Sequence, residues 1–425
     1  MEFLRELFDF IVFGVLGQAA ILVGLISFVG LVLQKKNGTQ ILTGTVKTIA
    51  GFVIFGIGAS AAQVGLTSFQ TLFTKGFHVQ GVMPLAEAVT GMAQGNFPTV
   101  IALIMVLGFA INLLVAKFTP FKNIFLTGQH NLYLAAMLTV MFKYFQLSDL
   151  NSVILGAVLL GLSAAIYPAI AQKYMKKITG TNDIAIGHYC TIAYALSGWI
   201  GSKVGNPEHS TESIKLPGFL SIAKDYLVSI TVTSGILFYL SAFAAGRTEV
   251  EAISGGMNWL VYPLMLAVYF AGGLYVLITG VRLFIGEILP AFLGISEKLI
   301  PDSRPAVDCP VVFPYAPTAV VLGFISAYIA GILCMIIFAT IGMTIIIPVA
   351  GPYFFIGGTA AVFANATGGW KGAIVGSFVT GILIAVGPAV MYHVFDNMGL
   401  VGSCFPETDF NFLSFVIYHI GILFQ

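Results

Sequence analysis

The sequence predicts an all-α integral membrane protein of about eleven transmembrane helices with re-entrant segments, built as two inverted five-helix repeats. Three observations predict it. Charged residues make up 9% of the 425 residues and apolar ones 58%, whereas a soluble domain carries roughly 25% charged residues. The apolar residues fall in runs of about 20, the length that crosses a hydrocarbon core of ~30 Å. One stretch of the first half also matches one of the second at a displacement of 220 residues.

In the first half, residues 9–34 form a first span, closed by Lys35 and Lys36. Their apolar run is too long and their start too acidic (Glu2, Glu6, Asp9) for a cleavable signal. A Gly/Ala-rich span covers 45–72, and 75–96 is a loop or hairpin with His78 and Glu87. Spans follow at 97–118, at 123–145 (interrupted by the polar cluster 127–131) and at 152–172, ending at Lys173, Lys176 and Lys177. Residues 182–205 are apolar but carry His188 and Lys203, and their run without charge or His, 189–202, is short for a span of about 20 residues. We read that stretch as a re-entrant or interfacial segment bringing His188 to a solute path. An amphipathic helix on the inner face, with His188 merely wetted, is the plainer reading.

The second half has spans at 226–245 and 259–283, then a mixed region, 285–315, with Glu287, Arg304 and Asp308. Residues 318–343 span again, 344–370 are interrupted by Gly and Pro, 373–395 span, and 410–425 form a short last segment. This divides the chain into a first repeat (1–180), an inner-face linker (181–224), a second repeat (225–396) and a last span (397–425). Placing the N-terminus outside puts 15 of the 19 Lys and Arg residues on the inner side and leaves Arg5, Lys75, Lys143 and Arg247 outside, as the positive-inside rule asks.

The displacement of 220 sets Ile154, Gly156, Gly161, Ala165, Pro168 and Ala169 on Ile374, Gly376, Gly381, Ala385, Pro388 and Ala389. Nearly the same displacement sets Pro98-Thr99 on Pro317-Thr318, and Glu87 on Asp308. Five crossings per half is an odd number, so the halves are expected to be inverted. Transporters commonly place their solute where such repeats meet.

Candidate site residues follow from chemistry. Glu87 and Asp308 would approach the centre as symmetry mates, and carboxylates there are expensive unless paired or wetted. Each could accept from a hydroxyl-rich solute or act as general base toward a hydroxyl attacking a phosphoryl group; a wetted loop or a helix cap is the plainer role. Gln129, His130 and Asn131 follow Gly128 on one helix, successive residues about 100° apart, so only one or two can face a cavity. Gln129 and Tyr133 share a face at i, i+4 and are the favoured pair. Thr359 lies beside Gly357-Gly358, where exposed backbone could meet solute. The four cysteines show no metal or redox spacing, no Walker A, GxSxG or HExxH motif is present, and no basic-aromatic run suggests nucleic acid. Neither a cofactor nor a metal is expected.

These residues resemble a known family. Leu126-Thr127-Gly128, Ile186-Gly187-His188, Gly280-Val281-Arg282, Gly294-Ile295-Ser296, Asp308-Cys309, the run from Ala316-Pro317-Thr318 to Gly323-Phe324, and Val362-Phe363-Ala364-Asn365 before Gly368-Gly369-Trp370 are similar to the ascorbate-type membrane component (EIIC) of the bacterial phosphoenolpyruvate phosphotransferase system, in the galactitol–ascorbate superfamily. The resemblance implies a homodimer in the cytoplasmic membrane, each subunit with a dimerising V-motif domain and a core domain that moves as an elevator. It implies that a cysteine of a separate IIB protein, charged by a IIA protein, donates the phosphoryl group. His188 and Asp308 match the family's solute-binding pattern, and Gly187, beside His188 in its motif, is a further candidate for solute contact. Gln129 stands where the family has His, Ala86-Glu87 where it has Thr-Tyr, and Tyr133 where it has Gln. An added carboxylate and a lost imidazole would suit a neutral polyhydroxy solute, such as a pentitol, better than ascorbate. A proton-coupled secondary transporter and a solute-binding sensor on a similar scaffold are the competing functions.

Overall fold

The computed structural model describes residues 6, 10, 19–77, 81–214, 226–298, 300–400 and 402–424. Most of the expected first span before residue 19, and His78, lie outside them. Helices dominate. In chain order they begin with α1 (Ala19–Leu33) and α2 (Gly38–Phe77); strand β1 (Met83–Pro84), α3 (Ala86–Asn96) and α4 (Pro98–Phe118) follow. Then come β2 (Asn123–Phe125), α5 (Gly128–Tyr144), α6 (Asp149–Thr179), β3 (Ala185–Ile186) and α7 (Thr191–Val204). The second half holds α8 (Tyr226–Ala245), α9 (Arg247–Ile253), α10 (Tyr262–Lys298), β4 (Arg304–Val307), α11 (Pro317–Ile341), α12 (Gly358–Asn397), β5 (Ser403–Cys404) and α13 (Thr408–Ile422).

Four helical stretches among the described residues are long and apolar enough to cross a membrane: Thr99–Phe118, Asp149–Thr179, Pro317–Ile341 and Tyr353–Asn397. Their ends follow local chemistry. Pro98 and Pro317 open α4 and α11 at positions whose N–H groups have no partner within the helix. Ser148 caps α6 by accepting from the Asn151 N–H, and Gly180 ends it at φ 77°.

Several elements differ from the sequence expectation. The interruption expected in 123–145 is complete: β2 comes first, and α5 has only 17 residues. Helix α10 runs 37 residues, well into the region read as mixed, because an uninterrupted apolar pattern carries it past Glu287. That carboxylate is paired with Lys47 of α2 at 3.1 Å. Gly65 of α2 lies against Phe270 of α10, so the two long helices run antiparallel. The Gly/Pro-rich segment is helical from Ala350, passing through a π turn at Tyr353–Gly357 into α12. Its break comes at Gly369, with φ 59° and ψ −154°. Helix α13 has 15 residues, about 22 Å at 1.5 Å per residue.

Two small parallel sheets join the halves. Strand β4 lies between β2 and β3, with Phe125 and Ala185 both paired to Ala306. Strand β1 pairs with β5 and, through Val82, with Ile346. Each central strand thus comes from one half and its neighbours from the other. Phe125 and Ile346, and Ala185 and Ser403, hold corresponding places in the two sheets, at displacements close to that of the sequence match.

Candidate functional site

The three-stranded sheet brings together residues far apart in sequence. Leu126 N–H donates to Ala306 O at 2.9 Å, holding the start of α5 beside β4. The Thr127 carbonyl accepts from His130 N and Asn131 N, opening the first turn of α5. On the other side Gly187 N–H donates to Val307 O at 2.6 Å. A Cβ at residue 187 would strike Ala306 O, so only glycine lets the backbone pass there. Asp308, His188 and the α5 start therefore converge.

Asp308 is the hub. Its Oδ1 accepts from Cys309 N–H at 2.7 Å, capping a 3-10 turn at Cys309–Tyr315. Its Oδ2 accepts from Gln129 Nε2 at 3.1 Å. His130 Nε2 lies 3.7 Å from Oδ1. The side chain of Asp308 keeps 15% exposure while that of His130 keeps 6%, so the carboxylate is the member of this pair that solvent or a solute reaches more readily.

The His130 and His188 rings meet edge to face with centroids 4.2 Å apart. The second nitrogen of each ring faces a polar group. His188 Nδ1 lies 3.1 Å from Tyr194 Oη, which also contacts Cys309 Sγ at 3.1 Å. His130 Nδ1 lies 4.0 Å from Oε1 of the buried Glu407. The backbone carrying His188 is fixed by Asp409: its carboxylate accepts from Thr191 N at 2.7 Å and Ile192 N at 3.2 Å, closing the start of α7. Thr191 Oγ1 in turn donates to His188 O. One nitrogen or oxygen from each of His130, His188 and Asp308 lies within 4.8 Å of the others, two imidazoles and a carboxylate, the donor types a transition metal takes.

The structure thus brings together Gln129, His188, Asp308 and Gly187 from the sequence candidates. Tyr133 touches the cluster through its ring, edge-on to His130 at 5.6 Å. Thr359 is fully buried; its hydroxyl donates to Phe355 O at 2.7 Å. Glu87 is the second residue of α3, and its side chain lies outside the described residues. Asn131 turns away, donating to Phe125 O at 3.5 Å and accepting from Tyr189 Oη at 3.4 Å.

Helical spacing favoured Gln129 with Tyr133; the structure also sets the adjacent His130 at Asp308, because the carboxylate sits at the helix start and offers one oxygen to each. The imidazole expected to be lost at position 129 is present one residue later. Absence of a regular His/Cys motif also gave no sign of a metal-type donor set, because its members come from the segments just after β3 and β4 and from α5. Sequence reasoning also missed Glu407 and Tyr194, which are second neighbours of the cluster and carry no motif.

Comparison with known proteins agrees with this architecture. The chain is 27% identical over 424 residues to a protein of Mycoplasma pneumoniae described as the ascorbate-specific PTS system EIIC component, an alignment covering 87% of this chain and 64% of that relative. The chain therefore corresponds to under two thirds of that relative's length. A family of PTS system sugar-specific permease components, EIIC-GAT, matches residues 14–409. That match takes in every element that builds the cluster, from β2 to Glu407 and Asp409, and on it the chain belongs to the EIIC-GAT family of PTS sugar-specific permease components.

Proposed function

We propose that this chain is the permease of a phosphotransferase system, carrying ascorbate or a related sugar or polyol across the bacterial cytoplasmic membrane with phosphorylation by a separate IIB protein, itself charged by IIA. The observation that carries the reading is the cluster of Gln129, His130, His188 and Asp308 at the junction of the two halves of a chain of this family. Its chemistry suits a polyhydroxy solute: a carboxylate accepts from hydroxyls, an amide does both, and imidazoles donate or accept. With His130 restoring an imidazole beside His188, an anionic enediol such as ascorbate fits the cluster as well as a pentitol does.

The pairing of strands between halves supports two inverted repeats of five crossings and about eleven crossings in all. On the elevator reading, the two sheets and the helices they anchor are the part that carries solute, and α2 with α10 belongs to the dimerising V-motif domain. The count of Lys and Arg, 15 on the inner side to 4 on the outer, supports an outer N-terminus.

A role for Asp308, or Glu87, as general base would require the phosphoryl donor to reach the cluster from the inner side. The competing reading, a proton-coupled secondary transporter, draws on the line of Asp308, His130 and Glu407. Uptake of labelled ascorbate and pentitols, with and without phosphoenolpyruvate, IIA and IIB, separates the two. Group translocation delivers phosphorylated solute only when IIB is present.

A further inference from the structure

We propose that His130, His188 and Asp308 form a binding site for one divalent transition-metal ion of the zinc class. Their donor atoms, within 4.8 Å of one another, need only a small contraction. Two ligands about 2.1 Å from a tetrahedral zinc stand roughly 3.4 Å apart, and His130 Nε2 and Asp308 Oδ1 are already at 3.7 Å.

The surroundings are those a metal site requires. A metal-ligating histidine characteristically has its second ring nitrogen held by a carboxylate or another polar group, which sets tautomer and ring orientation. His188 has such a partner in Tyr194 Oη at 3.1 Å, and His130 Nδ1 faces the Glu407 carboxylate at 4.0 Å, close enough for a small shift to bring them together. His130 presents Nδ1 to Glu407 and Nε2 toward Asp308. His188 presents Nδ1 to Tyr194 Oη and keeps Nε2 for a ligand. Gln129 steadies the carboxylate by donating to the oxygen that His130 does not face. Two carboxyl groups, Asp308 and the buried Glu407, flank the imidazole of His130. Three protein ligands leave a fourth position for water or a solute oxygen, as in open zinc sites. Two imidazoles and one carboxylate favour zinc or a neighbouring transition metal over magnesium or calcium, which prefer an all-oxygen shell.

The inference goes beyond the transport reading and does not rest on it, since binding is measured without solute, partner protein or phosphoenolpyruvate. Purified full-length protein, stripped with chelator, is titrated with ZnCl2 by calorimetry and with CoCl2 by absorption. One ion per chain is expected, with cobalt d–d bands of four-coordinate intensity. His130→Asn, His188→Asn and Asp308→Asn should each weaken zinc binding by more than ~100-fold, and Glu407→Gln and Tyr194→Phe by ~10–100-fold, the range for an outer partner of a ligand. His393→Asn and His419→Asn, at exposed histidines, should leave it unchanged. X-ray absorption on the zinc-loaded wild type needs no variant and should show two imidazoles with the remaining ligands oxygen. Absence of saturable one-equivalent binding, wild-type affinity in all three ligand variants, or a sulfur-containing shell would overturn the proposal.

Discussion

Gln129 and Asp308, 179 residues apart, are joined by a hydrogen bond of 3.1 Å from the amide nitrogen to Oδ2. The bond ties the start of α5 in the first half to the turn after β4 in the second. It also holds Asp308 Oδ1 facing His130. A hydrogen bond to a charged group contributes about 1.5–3 kcal/mol. Gln129→Ala and Asp308→Asn should therefore weaken solute binding roughly 10- to 100-fold. The measure is solute affinity of the purified protein; unchanged affinity in both variants would remove this pair from the solute site.

Asp409 closes the first turn of α7, which follows His188 by three residues. Losing a side-chain cap costs about 0.5–2 kcal/mol, and full burial of Asp409 puts Asp409→Ala at the upper end. Asp409→Asn keeps one acceptor oxygen and should lose less. Thermal unfolding in detergent should rank wild type above Asp409→Asn above Asp409→Ala.

Gly369 breaks α12 at φ 59° and ψ −154°, a backbone region essentially reserved to glycine that costs a residue with a Cβ about 1–3 kcal/mol. A Cβ there would also strike the carbonyls of His209 and Asn206. The same loop is strapped on by Trp370 N–H to His209 O at 2.9 Å and Thr211 N–H to Asn365 Oδ1 at 2.9 Å. Gly369→Ala should release residues 206–214, read as faster limited proteolysis of that loop. Proteolysis at the wild-type rate would show that the loop is held independently of the break.

Glu212 fastens that loop to the start of α11, accepting from Thr318 N and Ala319 N on one oxygen and from Thr318 Oγ1 on the other. The groups are exposed, so Glu212→Ala should cost only about 0.5–1 kcal/mol in stability while also raising the loop's proteolysis. Glu212→Gln, which keeps an acceptor, should lie between.

Orientation has its own check. Cysteines replacing Lys143 and Arg247 should react with a membrane-impermeant maleimide added outside cells, and cysteines replacing Lys173 and Lys371 only after permeabilisation. The opposite pattern would invert the topology.

Much of this molecule was legible before its structure. His188 stood out because an imidazole in an apolar stretch too short to span needs a reason, and Asp308 because a carboxylate within an apolar half does. That residues 182–205 hold only a short helix, the 14 residues of α7, followed from length alone. What stayed hidden depended on pairing across long distances. The register of β2 and β3 on β4 decides that His130 shares Asp308 with Gln129, and helical periodicity within α5 has no access to that. Glu407 joins the cluster only because β5 and α13 fold back on the first half, against β1 and α7. Which glycine of the Gly/Pro-rich stretch breaks the helix was not legible, because others there serve close helix packing rather than a turn: Gly357 and Gly358 lie against Ala327 and Val320 of α11, and the break comes at Gly369.

The most direct test of the central claim is uptake into vesicles bearing this chain, scored by the chemical form of the solute inside. With phosphoenolpyruvate, IIA and IIB supplied, labelled ascorbate or pentitol should accumulate as its phosphate ester, and accumulation should stop when IIB is left out. Unmodified solute accumulating on a proton gradient, without any phosphoryl donor, would contradict the account and make the chain a secondary transporter.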